Sequence, residues 1–213
     1  MAKNKDLSDL INLSFELKCL DILIKSYGSA ISENLVSKDW EEESISVHIV
    51  KHIRKFEHDF IVNYEIPLAE EDVYNAKKRV RNSNRIDIFF QENKWGNGKY
   101  LEYHIEAKNI SLAEWKKSNG NKVNASQQQT EYITKGIDRF LTGHFKEKNG
   151  CMLGYLVNGR LDEVLAKINA KIIVKNSNAE TITLKAFIFS SHQIYESNHP
   201  DKVIKHLFFN FVN

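Results

Sequence analysis

Near the middle of the chain, Leu101-Glu102-Tyr103-His104-Ile105-Glu106-Ala107-Lys108 alternates apolar and polar residues with the period of a strand. The alternation puts Leu101, Tyr103, Ile105 and Ala107 on one face and Glu102, His104, Glu106 and Lys108 on the other. Glu106 and Lys108 therefore project side by side at the strand's end. A second strand pattern, Arg85-Ile86-Asp87-Ile88-Phe89-Phe90, carries one acid, Asp87. Between the two, Trp95-Gly96-Asn97-Gly98 contains Asn-Gly, the strongest short-range hairpin signal. A turn there brings Asp87 near Glu106 or Lys108, allowing for a longer loop or a bulge. Two carboxylates and a lysine then meet in apolar surroundings. Oxygen ligands from Asp87 and Glu106 suit Mg²⁺, which keeps several waters and takes further ligands from phosphate; Mn²⁺ is expected to substitute. Such a cation acidifies a water and stabilises charge on phosphoryl oxygens. Lys108 has the chemistry to position that water or to neutralise developing charge. The expected chemistry is attack of a metal-activated water beside phosphoryl oxygens.

The elements that hold this trio follow from the remaining pattern. Residues 6–26 are apolar almost all round a helical wheel, which marks a helix buried on several sides or docked on a second subunit. A second helix fits residues 39–59, with Ser37 or Asp39 as cap, Glu41, Glu42 and Glu43 at its positive end, and Ile45, Ile49, Ile53 and Phe56 on one face. Residues 60–66 read as a strand ended by Pro67, and residues 69–81 as a loop or short helix. Further on come a helix over 127–145, a strand over 151–157, a helix over 162–173, and strands over 181–190 and 203–212. This order predicts a single domain over 1–213 of the α/β (α+β) class, a central mixed β-sheet flanked by helices. Within it, 1–27 is an arm for docking or dimerisation, 39–157 the catalytic core, and 158–213 completes the sheet.

Asp87 and the triplet Glu106-Ala107-Lys108, set in that order of helix, meander, helix and strand, resemble the PD-(D/E)xK nuclease superfamily with its restriction-endonuclease-like fold. The likeness spans roughly residues 39–157, and departs from the pattern in having Ile86, not proline, before Asp87. It implies a Mg²⁺-dependent DNA nuclease, endonuclease rather than exonuclease, with the metal at Asp87, Glu106 and Ala107 and with Lys108 catalytic. A prokaryotic restriction or anti-phage defence setting goes with it. The pair Gln128 and Tyr132 resembles a Gln-x-x-x-Tyr motif of the exonuclease branches. There the glutamine, expected to be catalytic, and the tyrosine face the site and the nucleic acid. At i and i+4 the two share a helix face, which Lys135 and Arg139 extend. Many members also carry a metal-binding glutamate on the preceding helix, here Glu42 or Glu43.

Nucleic acid is the expected partner on local charge as well. Lys77, Lys78, Arg79, Arg81 and Arg85 lead into the strand of Asp87 without an intervening acid, and Lys116 and Lys117 follow the triplet beside Trp115. Such clusters attract phosphate backbones. Overall the 213 residues are 42% apolar and 27% charged with a net charge of +2, which excludes a disordered tail and a histone-like polycation. No apolar run is long enough to cross a bilayer. The opening segment lacks the order of a secretory signal, and the two cysteines form no CxxC pattern, so a cytoplasmic setting is expected. His48 and His52 have a zinc-compatible spacing, but Ile49 stands where a metalloprotease needs glutamate. His104 is read as structural. Specificity is expected from loops, from a homodimer meeting through the first helix or through 207–211, or from a licensing partner. The competing readings are a catalytically silent nucleic-acid-binding or scaffolding module, and a nuclease acting on RNA.

Overall fold

Strands rich in β-branched and aromatic residues assemble one seven-stranded mixed sheet. The computed structural model describes residues 2–56, 58–67, 85–94, 99–143, 145, 150–175 and 180–212. In chain order these form α1 (Ala2–Glu33), α2 (Glu42–Ile53), β1 (Ile61–Pro67), β2 (Arg85–Lys94), β3 (Lys99–Ser111), β4 (Trp115–Lys116), β5 (Lys122–Val123) and α3 (Ala125–Tyr132). A π turn (Ile133–Ile137) then leads into α4 (Asp138–Leu141), followed by β6 (Gly150–Asn158), α5 (Leu161–Lys175), β7 (Thr183–Phe189), β8 (His192–His199) and β9 (Lys202–Asn210). The sheet order is β1-β2-β3-β6-β9-β8-β7, with β4 and β5 a separate small ribbon. β6 runs parallel to both β3 and β9, and the other neighbours are antiparallel. This is the mixed sheet flanked by helices that the pattern of elements predicts.

Each sheet face carries its own core. On one, Ile88, Phe90, Tyr103, Ile105, Ala107, Leu153 and Phe209 pack with Phe15, Leu20 and Leu23 of α1 and Ile45, Ile49 and Ile53 of α2. On the other, Ile86, Ile110, Met152, Leu156 and Phe208 pack with Tyr132, Ile133, Ile137 and Phe140 and with Val164 and Ile168 of α5. β6 is buried along eight consecutive residues, as a central parallel strand covered on both faces must be.

Several expectations are corrected. α2 begins at Glu42, after an extended Glu41, so neither Ser37 nor Asp39 caps it. α1 runs longer than its apolar stretch. Its buried residues begin at Phe15, while Leu7, Leu10 and Leu13 are exposed. Leu207, Phe208, Phe209 and Phe211 are buried core residues and not a contact surface. β8 lies between the two final strands foreseen from sequence. Its polar run His192-Gln193-Ile194-Tyr195-Glu196-Ser197-Asn198-His199 hides it, because apart from Ile194 its buried residues are polar groups held by hydrogen bonds and ion pairs. Ser197 Oγ lies 2.9 Å from Nε2 of both His199 and His206, and His206 Nδ1 lies 2.9 Å from the Tyr132 hydroxyl. Burial pushes His206 down to about 3, so the ring bridges these hydroxyls in its neutral form. The turn over 95–98 and the basic residues Lys77, Lys78, Arg79 and Arg81 lie outside the described residues.

Candidate active site

The site sits where the sheet forks. β2 stays paired to β1 as far as Pro67↔Arg85, but its ladder with β3 begins only at Ile88↔Ile105. From Glu106 onward β3 continues along β6 while its other edge has lost β2. An open edge exposes backbone N–H groups that need acceptors. Two carboxylates supply them. Asp87 Oδ2 accepts from the Ala107 amide at 2.6 Å, and Glu42 Oε2 accepts from the Asn109 amide at 3.3 Å. The Asn109 side chain donates in turn to the Trp40 carbonyl at 2.9 Å, fastening the segment before α2 to the same edge.

Strand alternation sends Glu106 and Lys108 to one face beside these acids. Lys108 Nζ lies 2.6 Å from Glu106 Oε1, 2.7 Å from the Ala107 carbonyl, 3.4 Å from Glu42 Oε1 and 3.7 Å from Asp87 Oδ2. Arg139 of α4 grips Glu106 Oε1 from the opposite side at 2.5 Å. Glu106 is 0% exposed, and its Oε2 is buried without a hydrogen-bond partner. Three carboxylates thus face two cations in a pocket that is buried at Glu106 and opens to solvent at Glu42 and Arg139.

The electrostatics register that excess. Burial, reinforced by the Glu106 carboxylate, pushes Asp87 up to about 8. Burial also raises Glu106, against the pull of Lys108 and Arg139. Glu106 has two cations in direct contact, whereas Asp87 has a backbone amide with an ammonium at 3.7 Å, so Asp87 is the less compensated carboxylate of the two. Burial alone would depress Lys108, but Glu106, Glu42 and Asp87 outweigh it and hold the ammonium above its ordinary range. An added positive charge is what this pocket accommodates best. The oxygens that ring Lys108 Nζ, three carboxylates and the Ala107 carbonyl, are the donors a hard divalent cation takes.

Of the residues foreseen, the structure brings together Asp87, Glu106, Ala107, Lys108 and Glu42. Glu43 is exposed and lines a cleft with Trp40, Val47, His48 and Ser118 instead. Gln128 does not reach the trio; its Oε1 accepts from Ser111 Oγ at 2.8 Å and Trp115 Nε1 at 2.9 Å, just past the triplet. Tyr132 is 0% exposed and bonded to His206, so the nucleic-acid contact expected of it is corrected to a core role. Lys135 is exposed and paired with Glu131 at 2.7 Å. Lys117 pairs with Glu41 at 3.3 Å, Arg85 with Glu65 at 3.2 Å, and Lys116 is exposed. His104 packs against Phe89 and Phe145.

Arg139, which the sequence pattern only set beside Lys135 as an extension of the Gln128 and Tyr132 face, is the one of the four that contacts Glu106. A helix of regular period puts Gln128, Tyr132, Lys135 and Arg139 on one face, but the π turn over Ile133–Ile137 disrupts that period. The four side chains then separate, toward Ser111, His206, Glu131 and Glu106 in turn. Helix interruptions of this kind carry no composition signal beyond Gly136, whose missing side chain lets the turn rest on Met152. Compared with models of protein families, with curated proteins and with solved structures, the chain gave no match.

Proposed function

We propose that the chain is a Mg²⁺-dependent nuclease of the restriction-endonuclease-like type that hydrolyses DNA phosphodiester bonds, with Mn²⁺ as a substitute. The observation that carries this reading is the oxygen cluster of Asp87, Glu106, Glu42 and the Ala107 carbonyl around one point, with Glu106 Oε2 buried and unpartnered. These residues are the ones that would hold the cation, which supplies water acidity and charge neutralisation at the scissile phosphate. Asp87 and Glu42 are oriented by the amides of Ala107 and Asn109, so their carboxylates are fixed before any ligand arrives. Lys108 stays charged and sets an ammonium beside the phosphoryl oxygens. Arg139 restrains Glu106 in the rotamer that meets Lys108. Arg85, Lys116 and Lys117 flank the trio in sequence and offer cations to the phosphate backbone. A prokaryotic restriction or anti-phage setting, a second copy and a licensing partner belong to the same proposal.

A silent binding module is the second reading, favoured by Glu106 already holding Lys108 and Arg139. Supercoiled plasmid, linear duplex and RNA incubated with Mg²⁺, Mn²⁺ or EDTA separate the two. Metal-dependent cleavage lost in Asp87→Ala and Lys108→Ala is the expected result. Cleavage that persists in both variants, or a wild type that neither cuts nor binds Mg²⁺ or Mn²⁺ by calorimetry, overturns the catalytic reading.

A further inference from the structure

Toward the end of α2 opposite Glu42, a second group of ligand atoms converges that the hydrolytic reading does not use. Glu33 is the last residue of α1, and Asn34 follows it at φ 51, in the left-handed region that ends the helix and turns the chain. His48 and His52 stand one turn apart on α2 and face back toward it. His52 Nε2 lies 3.2 Å from His48 Nε2 and 3.2 Å from Glu33 Oε2, and the remaining side of the triangle is 4.0 Å. Such a triangle contains a point about 2 Å from all three atoms, the length of a Zn–N or Zn–O bond.

Hydrogen bonding alone leaves these atoms in conflict. The other nitrogen of His52, Nδ1, sits 2.8 Å from Ser29 Oγ. If Nδ1 donates there, Nε2 presents a lone pair to the Glu33 carboxylate 3.2 Å away, with no proton between them. If Nε2 carries the proton instead, Glu33 and His48 compete for it. A cation satisfies all three lone pairs, and the Ser29 contact then orients His52 as a metal-bound imidazole is commonly oriented. Lys55 holds Glu33 Oε1 at 2.5 Å, which leaves Oε2 for the histidines. Burial lowers both imidazoles, which favours the neutral form that can ligate. His48 and His52 are buried and Glu33 is 31% exposed, so the cluster borders solvent and a water can complete a four-coordinate shell.

We propose that Glu33, His48 and His52 form a Zn²⁺ site that pins the end of α1 to α2, distinct from the carboxylate fork. Two imidazoles with one carboxylate favour Zn²⁺ and its d-block neighbours over Mg²⁺, which takes oxygen ligands. The site ties the longest helix to the helix that delivers Glu42, and Trp40 links the two regions. Its ring meets His48 edge-on at 5.8 Å, and its carbonyl accepts from Asn109.

The test uses the full chain stripped with a chelator, titrated with Co²⁺ as a spectroscopic probe and then with Zn²⁺, with thermal melting alongside. With excess Mg²⁺ present to occupy the carboxylate fork, the expected result is one Co²⁺ per chain with the strong visible absorption of a four-coordinate site, displaced by Zn²⁺, and a melting temperature that rises with Zn²⁺. Glu33→Gln and His48→Gln, checked for folding by circular dichroism, each weaken binding at least tenfold, while Asp87→Asn leaves it unchanged. Absence of saturable Co²⁺ or Zn²⁺ binding by the folded wild type, a weakly absorbing six-coordinate spectrum, affinity unchanged in both ligand variants, or loss in Asp87→Asn overturns the site.

Discussion

Replacing Asp87 with asparagine stabilises the metal-free protein at high pH and leaves it unchanged in acid. The buried carboxyl of the folded chain keeps its proton up to about 8, whereas an unfolded aspartate releases it near 3.8. Between those values the folded state holds one proton more than the unfolded state, so stability falls as pH rises. The full span corresponds to ~6 kcal/mol, and the part between pH 5 and pH 8 to about 4 kcal/mol. The side-chain amide introduced by Asp87→Asn keeps an acceptor for the Ala107 N–H but cannot ionise, so that slope disappears. For a domain of this size the melting temperature of the variant should exceed that of wild type by about 10 °C more at pH 8 than at pH 5. The assay is thermal unfolding in EDTA across that range, read as the difference between the two proteins. Taking the difference cancels the other titrating groups, among them the buried histidines and the paired carboxylates such as Glu131 and Glu196. A difference that stays flat from pH 5 to pH 8 refutes the electrostatic account of the fork.

Lys108→Met leaves Asp87 and Glu106 without their shared cation and costs about 3–5 kcal/mol in urea unfolding. Adding Glu106→Gln recovers part of that loss, with a coupling above about 1 kcal/mol in the double-mutant cycle. Tyr132→Phe strands the fully buried Nδ1 of His206 and costs about 1–3 kcal/mol. Because Tyr132 is interior, the same change leaves plasmid cleavage intact at temperatures where the protein is folded.

The trio was legible because strand alternation is a local code. Glu106 and Lys108 differ by two residues and must share a face, and Asp87 lies in the strand that precedes theirs. The fork was not legible. Whether β2 follows β3 to its end depends on what else the two strands touch, which no short window contains. The choice between Glu42 and Glu43 hinged on helix rotation. Adjacent residues point about 100° apart, and only the packing of Ile45, Ile49 and Ile53 settles which one turns inward. The contact of Arg139 with Glu106, apart from Gln128 and Tyr132, was obscured by the π turn. β8 was obscured because buried polar pairs, such as Ser197 with His206, leave no hydrophobic period. The convergence of Glu33 with His48 and His52 joins residues from two helices. The histidine spacing was visible, but the third ligand needed the turn at Asn34.

The forked edge has one more consequence. The amide protons of Ala107 and Asn109 are held by carboxylate oxygens and not by a neighbouring strand. Whatever draws charge from Asp87 or Glu42, a proton or a cation, therefore alters two backbone amides directly. Their NMR resonances and solvent-exchange rates form a built-in gauge of the pocket's occupancy, readable without substrate and without turnover.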